Sequence, residues 1–357
     1  MQKPIISGIQ QMGIGIPNVH EAFKWYRRHL TMDIPVFEEA AEANLMLPYT
    51  DNQPQTRHAI LAINPQGGGG LEIWQYTGRT PQPAAFDIQL GDLGLFITKF
   101  KAKDVGEAYA RLKQAEVDLV SGLIKDPAGH PHFYLKDPYG NLLEVVQSDD
   151  WFRQLKDEPT GGVYGAVIGV SDIERSMRFY KDILGYDKVL YDESGAFGDF
   201  SSLPSGTGQF RRVLLTHSAP RKGSFSRMLG SSEIELVQAL DRKGRPIFEN
   251  RLWGDLGYIH LCFDINGMDE LRERCAANGH PFTVDSAADR DTFDMGEAAG
   301  NFSYIEDPDG ALIEFVETHK VPIAKKFGWY LNLRKRNPEK PLPDWMLKAM
   351  ALNRVRN

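Results

Sequence analysis

The stretch DPDGALIE at residues 307–314 recurs, with the same spacing, as DPYGNLLE at residues 137–144. In both copies proline restricts φ and glycine tolerates a positive φ, so the Asp-Pro-x-Gly portion predicts a tight turn. The apolar residues after the turn predict a strand, and each strand carries a glutamate at the same place, Glu144 or Glu314. This repetition indicates an internal duplication of the chain.

A second pair of segments, residues 14–26 and residues 168–180, extends the duplication. Each reads as a short strand, a turn and an amphipathic helix that contains an aromatic residue followed by tyrosine. The turns contain Asn18 and Asp172, whose side-chain oxygens can accept from free N–H groups at a helix start. Both residues are therefore predicted to be helix N-caps.

A third pair of segments, LEIWQ at residues 71–75 and IELVQ at residues 234–238, places one acid in an apolar strand. These acids are Glu72 and Glu235. Burying a carboxylate among leucine, isoleucine and tryptophan costs much free energy unless a cation or another partner compensates for it. Both glutamates are therefore candidates for a functional site.

Each half of the chain divides again, because a further strand–helix unit begins near Asp104 and another near His260. The sequence therefore predicts four similar modules, with boundaries near residues 80, 155 and 245. We expect a first domain at residues 1–155, a second at 160–320, and a basic C-terminal tail at 321–357 that packs on the body.

Features outside these repeats are weaker candidates for function. The apolar stretches Phe327–Tyr330 and Trp345–Leu352 predict a tail that is ordered and packed on a domain, because such residues seldom stay exposed together. His130 and His132, in the predicted loop before the second copy of the turn, would at most line a pocket.

Composition narrows the class of protein. The 357 residues include 42% hydrophobic and 25% charged residues, which is ordinary for a globular protein, and the formal charge of −7 disfavours nucleic-acid binding. Two cysteines, Cys262 and Cys275, make no disulfide framework. No secretory signal or membrane-length apolar run is visible. We expect a cytoplasmic protein, monomeric or homodimeric, that does not bind membranes and whose partner is a small molecule.

The four modules, in this order, resemble the vicinal oxygen chelate superfamily, which includes glyoxalase I, methylmalonyl-CoA epimerase, extradiol dioxygenases and bleomycin-resistance proteins. The resemblance covers roughly residues 8–318. It implies an α+β fold in which four βαβββ modules pair into two glyoxalase-like half-barrel domains around a metal. Fold does not determine the reaction in such a superfamily, so the site has to be considered separately.

The resemblance also implies where metal ligands lie: on the first strand of a module, at the acid of the third repeat, and at the glutamate of the last strand. The matching positions hold Gln11 and Glu72 in module one, and His260 and Glu314 in module four. These four residues are the predicted metal ligands.

Modules two and three match less completely. They offer Glu144 and Glu235, but residues 95–98 supply no imidazole, and Gly165 stands where a ligand is expected. Two carboxylates that share a site raise the pKa of at least one of them unless a cation intervenes. We therefore expect no metal between these modules, and we expect the two acids to be separated, partnered by an arginine or lysine, or bridged by water.

Two pairings of the modules are open. If module one pairs with module four, Gln11 and His260 serve the same complete site. If modules pair within each half, His260 and Glu314 are left with Glu235 and without a partner at Gly165. The survival of Gln11 and His260 together favours the first pairing.

The predicted ligand set suits one divalent ion, Zn²⁺, Mn²⁺, Ni²⁺, Co²⁺ or Fe²⁺. By the resemblance, Glu314 is the catalytic base and Glu72 the second one. This predicts an isomerase, epimerase or lyase that moves a proton next to a carbonyl–hydroxyl pair through an enediolate. An Fe(II) extradiol-type dioxygenase is the alternative enzyme, and a non-catalytic binding or resistance protein is the alternative of another class.

Overall fold

A computed structural model of the protein describes residues 3–288, 293–294, 299–324 and 329–355. The first two modules comprise β1 (Ile5–Gly15), α1 (Val19–Leu30), β2 (Ile34–Glu42), β3 (Thr56–Ile63), β4 (Gly70–Tyr76), β5 (Gly94–Ala102), α2 (Val105–Gln114), β6 (Ile124–Lys125), β7 (Pro131–Lys136) and β8 (Leu142–Gln147). The last two comprise β9 (Thr160–Gly169), α3 (Ile173–Asp182), β10 (Lys188–Gly195), β11 (Phe210–Thr216), α4 (Ser226–Leu229), β12 (Glu233–Ala239), β13 (Gly257–Asn266), α5 (Met268–Ala277), β14 (Val284–Asp285), β15 (Phe293–Asp294), β16 (Ala299–Glu306) and β17 (Leu312–Ala324). The tail adds β18 (Trp329–Asn332) and α6 (Asp344–Ala349).

The described strands form two curled half-barrel sheets in a mixed α+β fold. The first sheet has the order β14-β16-β17-β13-β1-β4-β3-β2, with β15 beside β16 and β18 beside β17. The second has the order β10-β11-β12-β9-β5-β8-β7-β6. These orders confirm the predicted fold of paired modules.

The sheets join modules one and four, and modules two and three. The central contact of the first sheet is the antiparallel pair β1–β13, in which Gly13 lies opposite His260. The corresponding pair of the second sheet is β5–β9, in which Lys99 lies opposite Gly165. This is the pairing that the sequence favoured. Each sheet contains strands from both halves of the chain. The division into two domains at residues 155–160 therefore remains a prediction.

Successive side chains of a strand point to opposite faces of its sheet. Every second side chain therefore belongs to the core, and the others lie on the concave face. Met12 and Ile14 of β1, and Leu71 and Ile73 of β4, belong to the largest hydrophobic cluster, which also contains residues of both sheets and of the helices between them. The residue between Leu71 and Ile73 is Glu72, which therefore faces the concave side.

The repeated turn and the repeated tyrosine form one interaction. Asp137 accepts hydrogen bonds from the backbone of its own turn, and its Oδ2 also accepts from the Tyr26 hydroxyl at 2.5 Å. In the second half, the Tyr180 hydroxyl donates to Asp307 Oδ2 at 3.0 Å. Each bond links the first helix of one module to the last turn of the next module along the chain.

Local capping follows the sequence. Asn18 Oδ1 accepts from the backbone N–H groups of His20 and Glu21, and Asp172 Oδ1 accepts from that of Arg175. The two predicted N-caps are confirmed.

The tail packs on the first sheet through a few leucines. Leu333, Leu342 and Leu347 are buried in a cluster with residues of β2, β3 and α4. Trp345 and Leu352 are 63% and 87% exposed. The expectation that they pack on the body was wrong, because they lie on the outer side of this short segment. Phe327, which was also predicted to pack on the body, lies outside the described residues. No helix among the described residues is long and apolar enough to cross a membrane.

Candidate metal centre

Four adjacent strands of the first sheet, β17, β13, β1 and β4, bring the predicted ligands together. Gly13 of β1 lies opposite both His260 and Glu72, and Cys262 lies opposite Glu314. The four side chains therefore come from neighbouring strands although they are distant in sequence.

Gly13 makes room for the imidazole. A methyl group at this position would lie 2.4 Å from Cε1 of His260, so any larger residue would displace the ring. The pairing of β1 with β13 has a register shift between Ile9 and Gln11, close to this contact. Bulges of this kind re-aim side chains next to functional sites.

The polar atoms of the four side chains converge. His260 Nε2 lies 3.2 Å from Glu72 Oε2 and 3.1 Å from Glu314 Oε2. Gln11 Nε2 lies 3.2 Å from the same atom of Glu72 and 3.4 Å from that of Glu314. His260 is fully buried, and the side chains of Glu314 and Glu72 are 9% and 12% exposed. The structure thus brings together all four predicted residues.

Electrostatics couple the imidazole to the acids. Burial alone would lower the pKa of His260, but the charge and hydrogen bonds of Glu314 and Glu72 outweigh burial and raise it to about 10. Burial would raise the pKa of Glu314, but the contact with His260 outweighs it and the net direction is down. The cluster therefore attracts positive charge strongly.

The donor set fits a divalent cation. One nitrogen of His260 and one carboxylate oxygen each of Glu72 and Glu314 lie within 4.8 Å of one another, and Gln11 borders the same space. Gln11 Oε1 is buried and has no hydrogen-bond partner among the described residues. Oxygen and nitrogen of an amide exchange places on rotation, so this oxygen can be turned to the centre. An imidazole, two carboxylates and an amide oxygen suit Zn²⁺, Mn²⁺, Fe²⁺ and similar ions.

Three residues at the centre were not predicted from the sequence. Tyr304 is paired in register with Glu314 and is in hydrogen-bonding contact with it. Trp253 lies parallel to the His260 ring at 6.3 Å, and Cys262 is buried beside Glu314. The signal for Tyr304 was in the repeat, because a tyrosine precedes each Asp-Pro turn by three positions, the other being Tyr134.

The equivalent positions of the second sheet hold other residues. Val167 pairs with Glu235 as Gly13 pairs with Glu72, which makes Gly165 the counterpart of Gln11. A methyl group on Gly165 would lie 2.1 Å from the Glu233 carbonyl oxygen, so the backbone contact there requires glycine.

Cations of the chain itself fill the second cleft. Lys99 Nζ lies 2.8 Å from Glu235 Oε2, 2.8 Å from Glu233 Oε1 and 3.5 Å from Glu144 Oε2. Arg212, fully buried, donates from Nε to Glu235 Oε1 at 2.7 Å. Of the three arrangements expected for these acids, the structure shows the one with lysine and arginine partners. They hold the pKa of Glu235 well below its usual range, against the effect of burial.

His132 also belongs to this cluster, contrary to its predicted place in a loop. It lies on β7, almost fully buried, with Nδ1 2.7 Å from Glu144 Oε1 and Nε2 3.5 Å from Asp199 Oδ2. Burial lowers the pKa of His132, but the two acids outweigh burial and raise it to about 9. His130 is largely exposed and contacts Asp126.

Comparisons with known proteins agree with this fold. The sequence model of the Glyoxalase/Bleomycin resistance protein/Dioxygenase superfamily matches residues 8–145 and 164–315. The structure of glyoxalase I from Zea mays is similar with a TM-score of 0.53 and 13% identity over 88% of this chain and 92% of that one. A candidate dioxygenase from Bacillus subtilis gives a TM-score of 0.57 and 15% identity over 99% of this chain and 98% of that one. No curated protein sequence matches the chain.

Proposed function

The chain belongs to the Glyoxalase/Bleomycin resistance protein/Dioxygenase superfamily, and we propose that it is a metal-dependent enzyme that moves a proton next to two adjacent substrate oxygens. The reaction class is that of an isomerase, epimerase or lyase that works through an enediolate. Gln11, Glu72, His260 and Glu314 hold one divalent ion, and Glu314 and Glu72 act as bases.

The convergence of two carboxylates and one imidazole carries this proposal. His260 Nε2 contacts Oε2 of both Glu72 and Glu314 within 3.2 Å, in a place where these side chains are almost wholly buried. Such a concentration of negative charge is costly to bury and calls for a cation. Buried acids whose pKa is shifted by burial and by a charged neighbour are also candidate proton-transfer groups.

The chemistry divides between the ion and the side chains. When bound, a divalent ion supplies Lewis acidity, which stabilises negative charge that develops on neighbouring substrate oxygens. Glu314 then accepts the proton from the adjacent carbon at a carboxylate oxygen, and Glu72 is the second group that can return one. Burial raises the pKa of Tyr304 well above 10, so its hydroxyl stays protonated beside Glu314.

The surrounding rings shield these transfers from water. Trp74 is fully buried and Trp253 is 7% exposed, and the two rings are in edge contact with centroids 4.8 Å apart. Exclusion of water strengthens the electrostatic interactions in such a site.

The donor set favours proton transfer over ring cleavage. Iron-dependent oxygenases of the two-histidine, one-carboxylate type use two imidazoles. Here His260 is the one imidazole among the four converging side chains, and the position across from it on β1 is Gly13. The presence of two opposed acids also favours catalysis over simple binding of a small molecule.

Deuterium exchange tests the proposal. The purified protein is loaded separately with Zn²⁺, Mn²⁺, Ni²⁺, Co²⁺ or Fe²⁺ and incubated in deuterated water with a panel of α-hydroxycarbonyl compounds and sugars. Mass spectrometry should detect exchange at the carbon next to the oxygens with at least one ion, and none with metal-free protein. Oxygen uptake with catechols by the Fe²⁺ form, without exchange in any form, would establish the dioxygenase instead.

A further inference from the structure

A large cavity opens from the metal centre along the concave face of the first sheet. Its volume is about 550 Å³, and Gln11, Glu72 and Glu314 form part of its wall. A cavity of this size is typical for a ligand of drug-like dimensions. It is far larger than the space that two adjacent substrate oxygens would occupy. Most of the space must therefore be filled by the rest of the substrate.

The wall away from the centre is mainly apolar. The elements that contribute aliphatic and aromatic side chains are β2, the segment before β3, β3, helix α4 and β17. Among these side chains are Ile34, Val36, Leu45, Ile63, Leu229 and Val321. Apolar surface gains free energy in proportion to the area that it removes from water. The wall thus selects an apolar substrate body.

Acidic residues outnumber basic ones among the described residues that line the cavity. Arg57 is the only lysine or arginine among the described residues that line it, and its Nη2 lies 2.8 Å from Glu39 Oε2. In the part of the wall that the structure describes, no second lysine or arginine lies beside the remaining acids, Glu42, Glu72 and Glu314. A further anionic group on the substrate would be repelled by these acids, and among the described wall residues the only lysine or arginine is already paired with Glu39.

The C-terminal tail supplies one side of the cavity. Leu342, Met346, Leu347 and Met350 line it. The tail is held there by Leu342 N, which donates to the Ser224 carbonyl at 2.8 Å. These residues lie beyond position 315, where the superfamily match ends. This wall is therefore an addition to the shared modules.

The end of the tail is fixed by charge. Arg354 Nε donates to Asp33 Oδ2 at 2.8 Å, and the backbone N–H of Val355 donates to the Asp33 carbonyl at 2.8 Å. Asp33 immediately precedes β2 and Ser224 lies just before α4, so the tail is fastened beside two elements that line the cavity. Met346 and Met350 are half-buried between these two attachments.

We propose, resting on the proposed function, that the substrate carries its two adjacent oxygens on a large uncharged apolar body, and that Met346 and Met350 determine which bodies fit. Methionine is unbranched and flexible, so it adapts to irregular apolar shapes. The tail is thus a specificity element of the site, and substrates with additional carboxylate or phosphate groups are excluded.

A metal-free experiment tests the cavity alone. The uncharged fluorophore N-phenyl-1-naphthylamine is titrated into the wild-type protein after removal of metal. We expect one bound molecule per chain, and roughly tenfold weaker binding in Met346→Trp, because the larger ring occupies part of the space. Trp345→Ala is the matched control on the outer side of the same helix and should leave binding unchanged.

A metal-dependent experiment tests the substrate class. Acetohydroxamate, octanohydroxamate and suberic acid monohydroxamate all present two adjacent oxygens, with a short chain, a long apolar chain and a long chain that ends in a carboxylate. Octanohydroxamate should bind the metal-loaded protein roughly 100-fold more tightly than acetohydroxamate, because its added methylene groups are buried. The suberic derivative should lose most of this gain, and Met346→Trp should weaken octanohydroxamate but not acetohydroxamate.

Each result decides one claim. Equal binding of the short and long hydroxamates, or tight binding of the suberic derivative, would overturn the substrate class. Unchanged binding of the fluorophore in both Met346→Trp and Met350→Trp would overturn the role of the tail. Two variants are used so that misfolding of one leaves the other to decide. If no metal-loaded form of the protein binds any hydroxamate but the fluorophore still binds, the proposed metal centre is refuted. The apolar cavity would then remain supported.

Discussion

Lys99 Nζ lies 2.8 Å from Glu235 Oε2, at the middle of the second sheet. Lys99 pairs with Glu144 across β5 and β8, as Cys262 pairs with Glu314 across β13 and β17. The same position thus carries a cationic side chain in one sheet and a neutral thiol in the other. The acids of the second sheet are neutralised by lysine and arginine side chains, whereas Glu72 and Glu314 of the first sheet share the single imidazole of His260.

Replacing Lys99 should destabilise the protein severely. Lys99→Met keeps the length of the side chain but leaves Glu144, Glu233 and Glu235 short of a cation. Removal of one partner of a buried ion pair typically costs about 3–5 kcal/mol. Urea unfolding at pH 7 should show this loss. Lys103→Met, at an exposed lysine of the same chain segment, is the control and should change stability by less than about 0.5 kcal/mol. A Lys99→Met protein as stable as the wild type would contradict the importance of this ion pair.

Metal content should depend on the first sheet alone. His20, Glu38 and His58 form a second group that could hold an ion, in which His20 and Glu38 are exposed and His58 is partly buried. The measurements are therefore made in a His58→Ala background. Elemental analysis after dialysis should return one ion per chain. His260→Ala should weaken metal binding roughly 100-fold or more, since loss of a mere supporting residue already costs 10–100-fold. Glu144→Gln is the control. If it loses the ion while Glu72→Gln keeps it, the centre has been assigned to the wrong sheet.

Glu314→Gln should preserve the fold and abolish nearly all turnover. The substitution removes the proposed base and weakens the metal centre together, whereas the amide keeps the size of the side chain. Deuterium exchange and circular dichroism measured on the same sample check the two halves of this expectation. A variant that retains most of its exchange activity would show that another group moves the proton.

The contribution of His132 to stability should fall at alkaline pH. Its pKa is raised to about 9 in the folded protein, from an ordinary value of 6.5. The protonated imidazole therefore stabilises the fold fully below pH 6.5, and this stabilisation is lost as the pH rises through 9. The difference in unfolding free energy between wild type and His132→Gln should shrink by on the order of 2–3 kcal/mol between pH 6 and pH 10. A difference that is constant or grows over this range would mean that His132 is neutral in the fold.

The tail should contribute to stability through its buried leucines. Leu347 is 4% exposed in the cluster with Ile34 and Ile63, so Leu347→Ala should cost about 2–3 kcal/mol. Leu352 is 87% exposed, and Leu352→Ala should have almost no effect. Deleting residues 321–357 should lower the melting temperature and solubility, because it exposes that cluster. An unchanged melting temperature after the deletion would refute a packed tail.

Much of the fold could be predicted because its signals are local. The Asp-Pro-x-Gly turns depend on the φ preferences of two adjacent residues, and both turns form with Gly140 and Gly310 at positive φ. The strands with Glu72 and Glu314 show the alternation that sends one side chain to each face. Short-range physics of this kind, together with the family resemblance, placed all four side chains of the candidate centre.

The tertiary structure alone decided the contacts between distant segments. The sequence favoured the pairing of modules one and four, but no local pattern specifies the register of β1 and β13, which sets Gly13 against His260. The role of Lys99 emerged for the same reason, since its three acidic neighbours come from β8 and β12. Residue types and local spacing thus determined the modules and their acids. The long-range association of the sheets determined which acids are left to bind a metal and which are neutralised by the chain.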